Sequence, residues 1–159
     1  MSVIIGNKLV LEPVTLELAR NREALAEELG VPIDEAWPNS DFQELIDSDV
    51  ADETQFWAVI HVAERRMIGE IGTKTTTHDP PFLSGKVVEI GYSLVPAYRG
   101  QGLGTEAVRL LCDWLFAVAT VSAIRAETEP DNLASAGVLL KNGFEALGQS
   151  NGVYVFERK

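Results

Sequence analysis

The chain has 159 residues, 46% of them hydrophobic, one cysteine and a net charge of −11 from 24 acidic and 13 basic side chains. That length and apolar content suit a single domain with a full core. An acidic chain with no Lys/Arg-rich run excludes a nucleic-acid binder, no apolar window approaches the ~18 residues of a membrane span, and a lone thiol cannot close an internal disulfide.

The opening MSVIIGNKLVLEP has no basic region followed by a cleavage site, so no signal peptide is expected. Cys112, alone in Leu110-Leu111-Cys112-Asp113-Trp114, fits a reducing cytoplasm and reads as a half-buried helix thiol.

Lys8 to Glu12 reads as a short strand that Pro13 ends. Thr15 can cap a helix running to Leu29, with Leu18, Leu25 and Leu29 on one face and Gly30 as its stop. Asp41-Phe42-Gln43-Glu44 matches a capping box and opens a second, short helix. Asp47, Asp49, Asp52 and Glu53 form an acidic link. Thr54 to Ala63 alternates as a strand, Glu64-Arg65-Arg66 turns, and Met67 to Thr77 returns beside it. A loop from His78 to Gly85 follows.

The densest information lies in KVVEIGYSLVPAYRGQGLGT, residues 86 to 105. Val87, Val88, Ile90, Tyr92, Leu94 and Val95 are strand formers, and Pro96 stops the strand. Arg99-Gly100-Gln101-Gly102-Leu103-Gly104-Thr105 then leads into an amphipathic helix reaching Ala119. Glycines admit a ligand close to the backbone, and the first N–H groups of a helix lack internal partners, so this turn is suited to a diphosphate. A Walker loop would need GxxxxGK[ST], which is absent. A Rossmann turn would need glycine where Thr105 stands.

Further on, Ala123 to Thr128 reads as a strand, Asn132 as a helix cap, Gly143 as a left-handed stop and Phe144 as core. Two short strands joined through Gly148 to Gly152 close the chain. The whole is α+β, with a mixed, mostly antiparallel central sheet flanked by helices in the order β-α-α-β-β-β-α-β-α-β-β.

Arg99, Gly102 and Gly104 in RxxGxG after a strand resemble the acetyl-coenzyme A loop of the GNAT superfamily of N-acetyltransferases. Asn132, Ser135, Lys141, Gly143 and Phe144 resemble that family's second signature block, whose asparagine contacts the pantetheine arm. The phrases MIGEIG and VEIGYSLVPAYRGQGLGTEA look most like the RimJ/RimL-like branch, which acetylates ribosomal-protein N-termini, spermidine and aminoglycosides.

The resemblance implies an acetyl-coenzyme A-dependent transfer to a primary amine, small molecule or protein N-terminus, by a monomer or homodimer without a metal. It implies pantetheine pairing with the main chain of Leu94 and Val95, the Leu94 N–H as oxyanion donor, and phosphates held by Arg99 through Thr105. Such a reaction needs a base for the amine and a proton for the leaving thiolate. Glu89, mid-strand, is the first candidate base, and Glu70 in Gly69-Glu70-Ile71-Gly72 the second. Many members carry an acidic tyrosine four residues before Gly-Phe, where this chain has Leu139, so Ser135 is the remaining candidate acid. Tyr92 and Tyr98 read as packing aromatics, His61 as a sheet residue and His78 as a loop residue. The missing tyrosine leaves a second expectation, a non-catalytic acyl-coenzyme A-binding regulator on the same fold. The net charge of −11 reads first as a means of staying soluble, and as a property of the site it would favour a cationic acceptor over an acidic one.

Overall fold

The computed structural model describes residues 2–48, 55–75 and 87–159. Its elements run β1 (Ile4–Ile5), β2 (Leu9–Val14), α1 (Leu16–Ala19), α2 (Arg22–Leu29), α3 (Ser40–Asp47), β3 (Gln55–His61), β4 (Arg66–Thr75) and β5 (Val87–Leu94). After a 3-10 turn at Pro96–Tyr98 come α4 (Leu103–Ala117), β6 (Ala123–Thr128), α5 (Leu133–Lys141), β7 (Glu145–Ser150) and β8 (Val153–Arg158). The expected sheet–helix order holds, with β1 added and the first helix divided. Asp49, Asp52, Glu53, the 77–86 loop and His78 lie outside the described residues.

One eight-stranded sheet carries the fold in the order β1-β2-β3-β4-β5-β6-β8-β7. Every pairing is antiparallel except β5 with β6, so the sheet is mixed as expected. Helices cover both faces, which is why β3 is buried from Phe56 through Ile60 and not on alternate residues alone. On one face, Phe42 of α3 meets Phe56 edge-on at 5.1 Å and Trp37 at 5.8 Å. On the other, Trp114 of α4 meets Trp57 at 5.4 Å. Leu111 and Cys112 on α4 are fully buried there, and burial pushes the Cys112 thiol up to about 12, so it is an inert core group.

Three local details depart from the sequence reading. Pro13 does not end β2 but pairs with Trp57 inside it, because β1 spans two residues and leaves that stretch of the outer edge without a ladder to feed. The helix from Thr15 breaks at Asn21, whose side chain caps α2 by accepting from Ala24 N–H. Thr15 does cap α1, accepting from Leu18 N–H at 3.1 Å. The cap of α3 is Asn39, accepting from Phe42 N–H at 2.8 Å. The helix begins at Ser40, so Asp41 already lies inside it.

Gly69 marks the tightest place in the sheet. A Cβ there would sit 2.1 Å from Ser93 O and 3.0 Å from Leu94 Cα, both backbone atoms. Gly69→Ala is therefore expected to cost roughly 1–3 kcal/mol or more, as overpacking does. Urea unfolding of the variant checks this, and an unchanged midpoint would contradict the packing.

Candidate active site

The site begins where two strands part. β5 and β6 run in parallel register from Val87↔Ala123 to Ile90↔Ala126, and pairing stops there although β5 continues to Leu94 and β6 to Thr128. The cleft between them, about 540 Å³, is lined by β4, β5, β6, α3 and the first turn of α5.

The main chain of β5 follows from ladder alternation. Val95 N–H donates to Ile68 O at 2.8 Å. In an antiparallel ladder the next residue points its N–H and C=O away from that partner. Leu94, opposite Gly69, and Tyr92, opposite Ile71, therefore direct their main-chain groups toward the cleft. Leu94 O also accepts from Arg99 Nε at 2.9 Å. The expectation for Val95 needs correction: its N–H is taken by Ile68, and its C=O accepts from Tyr98 N–H at 3.0 Å. Tyr92, not Val95, shares the open edge with Leu94.

Beyond the end of β5 lies the glycine loop. Gly100 and Gly102 have φ of 74° and 81°, left-handed conformations that favour glycine. Gly102 caps α4 without a side-chain bond, and the helix's first internal bond is Glu106 N–H to Gly102 O at 3.1 Å. The N–H groups of Leu103, Gly104 and Thr105 thus precede the internal ladder and carry the positive end of the helix. Gly104 lies over Val138 and Leu94, where an added Cβ would stand 3.6 and 3.9 Å away. Gln101 donates back to Ala97 O at 3.1 Å, and the side chain of Leu103 is buried.

Glu70 and Glu89 share one sheet face. Glu70 pairs directly with Ser93, Gly72 with Gly91, and Lys74 with Glu89. Their backbone positions lie four residues apart along the ladder, about 13 Å at ~3.3 Å per residue, over a floor of two facing glycines. Their surroundings differ. Glu70 is 4% exposed, and its Oε2 has no hydrogen-bond partner. Burial raises its pKa to about 8, against a smaller opposite pull from the backbone N–H groups of Glu70 and Ser93. Glu89 is half-buried and lies level with Arg125 of β6.

Two sets of contacts that hold α3 had no clear signal in the sequence. Ser93 Oγ accepts from Asn39 Nδ2 at 2.9 Å, so the cap of α3 is tied to the strand opposite Glu70. Arg20 fixes the other end of α3, its Nε donating to Ile46 O at 2.9 Å and its Nη2 to Ser48 O at 3.0 Å.

On α5, Asn132 caps the helix by accepting from Ser135 N–H at 3.1 Å, and both residues line the cleft. Leu139 is fully buried and offers no acid. Tyr92 reaches Ser135 Oγ at 2.7 Å, a contact the strand pattern gave no reason to expect. Tyr98 donates to Glu64, and His61 packs beside Tyr98 at 5.5 Å while accepting from Glu64 N–H.

An open strand edge, a helix start whose first N–H groups precede the internal ladder and a buried carboxyl are the features that acyl transfer from a long phosphorylated thioester needs. The comparisons agree. Residues 9–145 match the acetyltransferase (GNAT) domain, and the chain belongs to the GNAT acetyltransferase family. It is 28% identical over 156 residues to the protein named uncharacterized N-acetyltransferase YjdG of Bacillus subtilis (strain 168), covering 91% of this chain and 90% of that one. In fold it is similar to a ribosomal-protein alanine acetyltransferase from Vibrio fischeri, with TM-score 0.67 and 21% identity over 99% of this chain and 96% of that one. It is also similar to RimL, a ribosomal alpha-N-protein acetyltransferase solved in complex with coenzyme A, with TM-score 0.68 and 18% identity over 99% and 97% of the two chains. The chain is accordingly an acetyl-coenzyme A-dependent N-acetyltransferase by family. No described helix is long and apolar enough to cross a membrane.

Proposed function

We propose that this enzyme acetylates a cationic primary amine, on a small molecule or a peptide N-terminus, with Glu70 as general base. The observation that carries this is the buried carboxyl without a partner at Oε2, lining the cleft where β5 leaves β6. A base must lie near the pH at which it works, and burial brings Glu70 to about 8. Glu89, the first expectation from sequence, is less enclosed and stands four residues from Ser93. It suits a role in holding the acceptor.

When bound, acetyl-coenzyme A supplies an activated acetyl group on a thioester. The chain would hold the pantetheine amides with the main-chain groups of Tyr92 and Leu94, as an added strand would be held. The N–H groups of Leu103, Gly104 and Thr105, with Arg99 nearby, suit the phosphates. Asn132 on α5 faces the arm between them. The Leu94 N–H suits the oxyanion. A reducing cytoplasm remains the fitting compartment for a chain whose lone thiol is buried.

The cation preference follows from the lining. Among the described side chains, the charged groups that line the cleft are the carboxyls of Asp41, Glu70, Glu89, Glu127 and Glu129. Such a cleft concentrates cations, and salt weakens the effect within a Debye length of ~10 Å at 0.1 M. A thermal-shift titration with acetyl-coenzyme A, then an amine panel read by thiol release, tests the reading. The KM of the best amine is expected to rise with ionic strength while kcat stays level. A salt-insensitive KM, or a best acceptor of net negative charge, would contradict the cation preference. Absence of thiol release with coenzyme binding intact would favour the regulator reading.

A further inference from the structure

Among the described residues, three buried side-chain polar atoms have no hydrogen-bond partner: Trp37 Nε1, Glu70 Oε2 and Thr128 Oγ1. Two of the three side chains, Glu70 and Thr128, line the same cleft. Glu70 carries the carboxyl proposed as base. Thr128, 5% exposed at the end of β6, has no such duty. A buried hydroxyl without a partner is costly, and native proteins keep few of them.

The two side chains stand on opposite faces of the sheet. Glu70 shares its face with Ser93, which Asn39 of α3 holds. Tyr92, the next residue back along β5, points the other way, to Ser135 of α5. β5 and β6 are in register at Ile90↔Ala126, so two residues on, Thr128 stands level with Tyr92 and on the α5 face. Pairing has stopped by then, and the split lies between them. The other edge of β6 stays anchored, with Thr128 opposite Tyr154 of β8. The Tyr92 hydroxyl is engaged by Ser135, 2.7 Å from Oγ and 3.3 Å from O, and that of Thr128 is left over.

We propose that Thr128 is a coenzyme-binding residue, whose Oγ1 donates a hydrogen bond to an amide carbonyl of the pantetheine arm from the β6 side of the split. The proposal rests on the reading of this cleft as the acetyl-coenzyme A site. A trans amide points its N–H and its C=O in opposite directions. An arm laid along β5 as an added strand gives one of these groups to the main chain of Tyr92 or Leu94 and turns the other across the split. A carbonyl turned that way still needs a donor. The β6 main chain has ceased to pair with β5 beyond Ala126, so a side chain must supply it. A threonine hydroxyl is such a donor. At Thr128 it is buried, stands on the facing wall and has no competing partner among the described residues.

Thr128→Val exchanges the hydroxyl for a methyl of similar size in a strand that favours β-branched residues. Its unliganded melting temperature is expected to equal or exceed that of wild type, because a buried unpaired group is removed. Its Kd for acetyl-coenzyme A, read by calorimetric titration, should rise about 3–10-fold, the worth of one hydrogen bond. Adenosine bisphosphate, the coenzyme's nucleotide end without the arm, should bind within about 2-fold of wild type. Thr128→Ser keeps the hydroxyl and should bind acetyl-coenzyme A within about 2-fold of wild type. An unchanged coenzyme Kd in Thr128→Val, equal weakening of adenosine bisphosphate, or no recovery in Thr128→Ser would overturn the bond while leaving the transferase intact. A lower unliganded melting temperature in Thr128→Val would assign the hydroxyl to the fold instead, and overturn it likewise. Failure of wild type to bind acetyl-coenzyme A would overturn the reading of the cleft and the bond together.

Discussion

Glu70→Gln is expected to lower kcat by roughly 10²–10⁴-fold near neutral pH while acetyl-coenzyme A binding stays near wild type. The amide keeps the shape and removes the base. Wild-type kcat should rise with pH through about 8, as the Glu70 carboxyl ionises, and that limb should vanish in the variant. Stability should move the opposite way. The folded pKa of about 8 lies above the ordinary 4.5, so the native state binds the proton more tightly than the unfolded chain between those values. Native stability is then fullest below about 4.5 and falls as pH rises toward 8, by at most about 1.4 kcal/mol per pH unit. Glutamine never ionises, so the melting temperature of Glu70→Gln should gain on wild type as pH goes from 5 to 8. At roughly 2–4 °C per kcal/mol in a chain of this size, the gain is within reach of a thermal scan. A difference in melting temperature that stays flat across that range, or loss of turnover in Glu89→Gln instead, would move the base to the other strand.

The preference for Glu70 over Glu89 shows where sequence stops being informative. Both sit in glycine-flanked strands on the same face, and strand periodicity cannot rank them. What separates them is tertiary: Asn39, the cap of α3, holds Ser93 opposite Glu70, whereas Glu89 lies level with Arg125 of β6. Asn39 lies 54 residues from the serine it holds. The glycine loop was legible because Gly100 and Gly102 need left-handed φ and Pro96 ends the strand, all local requirements. Asn132 and Gly143 were legible for the same reason. Val95 was misjudged because the direction of a main-chain N–H depends on the register with β4, which local pattern does not contain. Tyr92 was read as packing, and it does pack; its partner lies 43 residues away on another element.

Gly102→Asp is expected to abolish stabilisation by acetyl-coenzyme A while leaving the unliganded melting temperature near wild type. At a concentration of 100 Kd, the wild type gains about 2.7 kcal/mol, or roughly 5–10 °C. The variant places a carboxylate at the cap of α4, over the N–H groups of Leu103, Gly104 and Thr105 that suit the phosphates. Like charge then opposes the ligand at the one place where helix polarity favours it. Two effects on the free protein oppose each other. The φ of 81° costs a non-glycine residue about 1–2 kcal/mol, less for Asp and Asn, and a negative group at a helix start returns roughly 0.3–1 kcal/mol. Gly102→Asn separates charge from strain, since it meets the same backbone without the anion. Among the described residues outside its chain neighbours, no heavy atom lies within 4 Å of a Cβ at this position, so neither variant clashes with them. Asn should therefore keep most of the thermal shift and Asp should lose it. Equal loss in both would assign the effect to backbone strain, and a full shift in Asp would remove the phosphates from the start of α4.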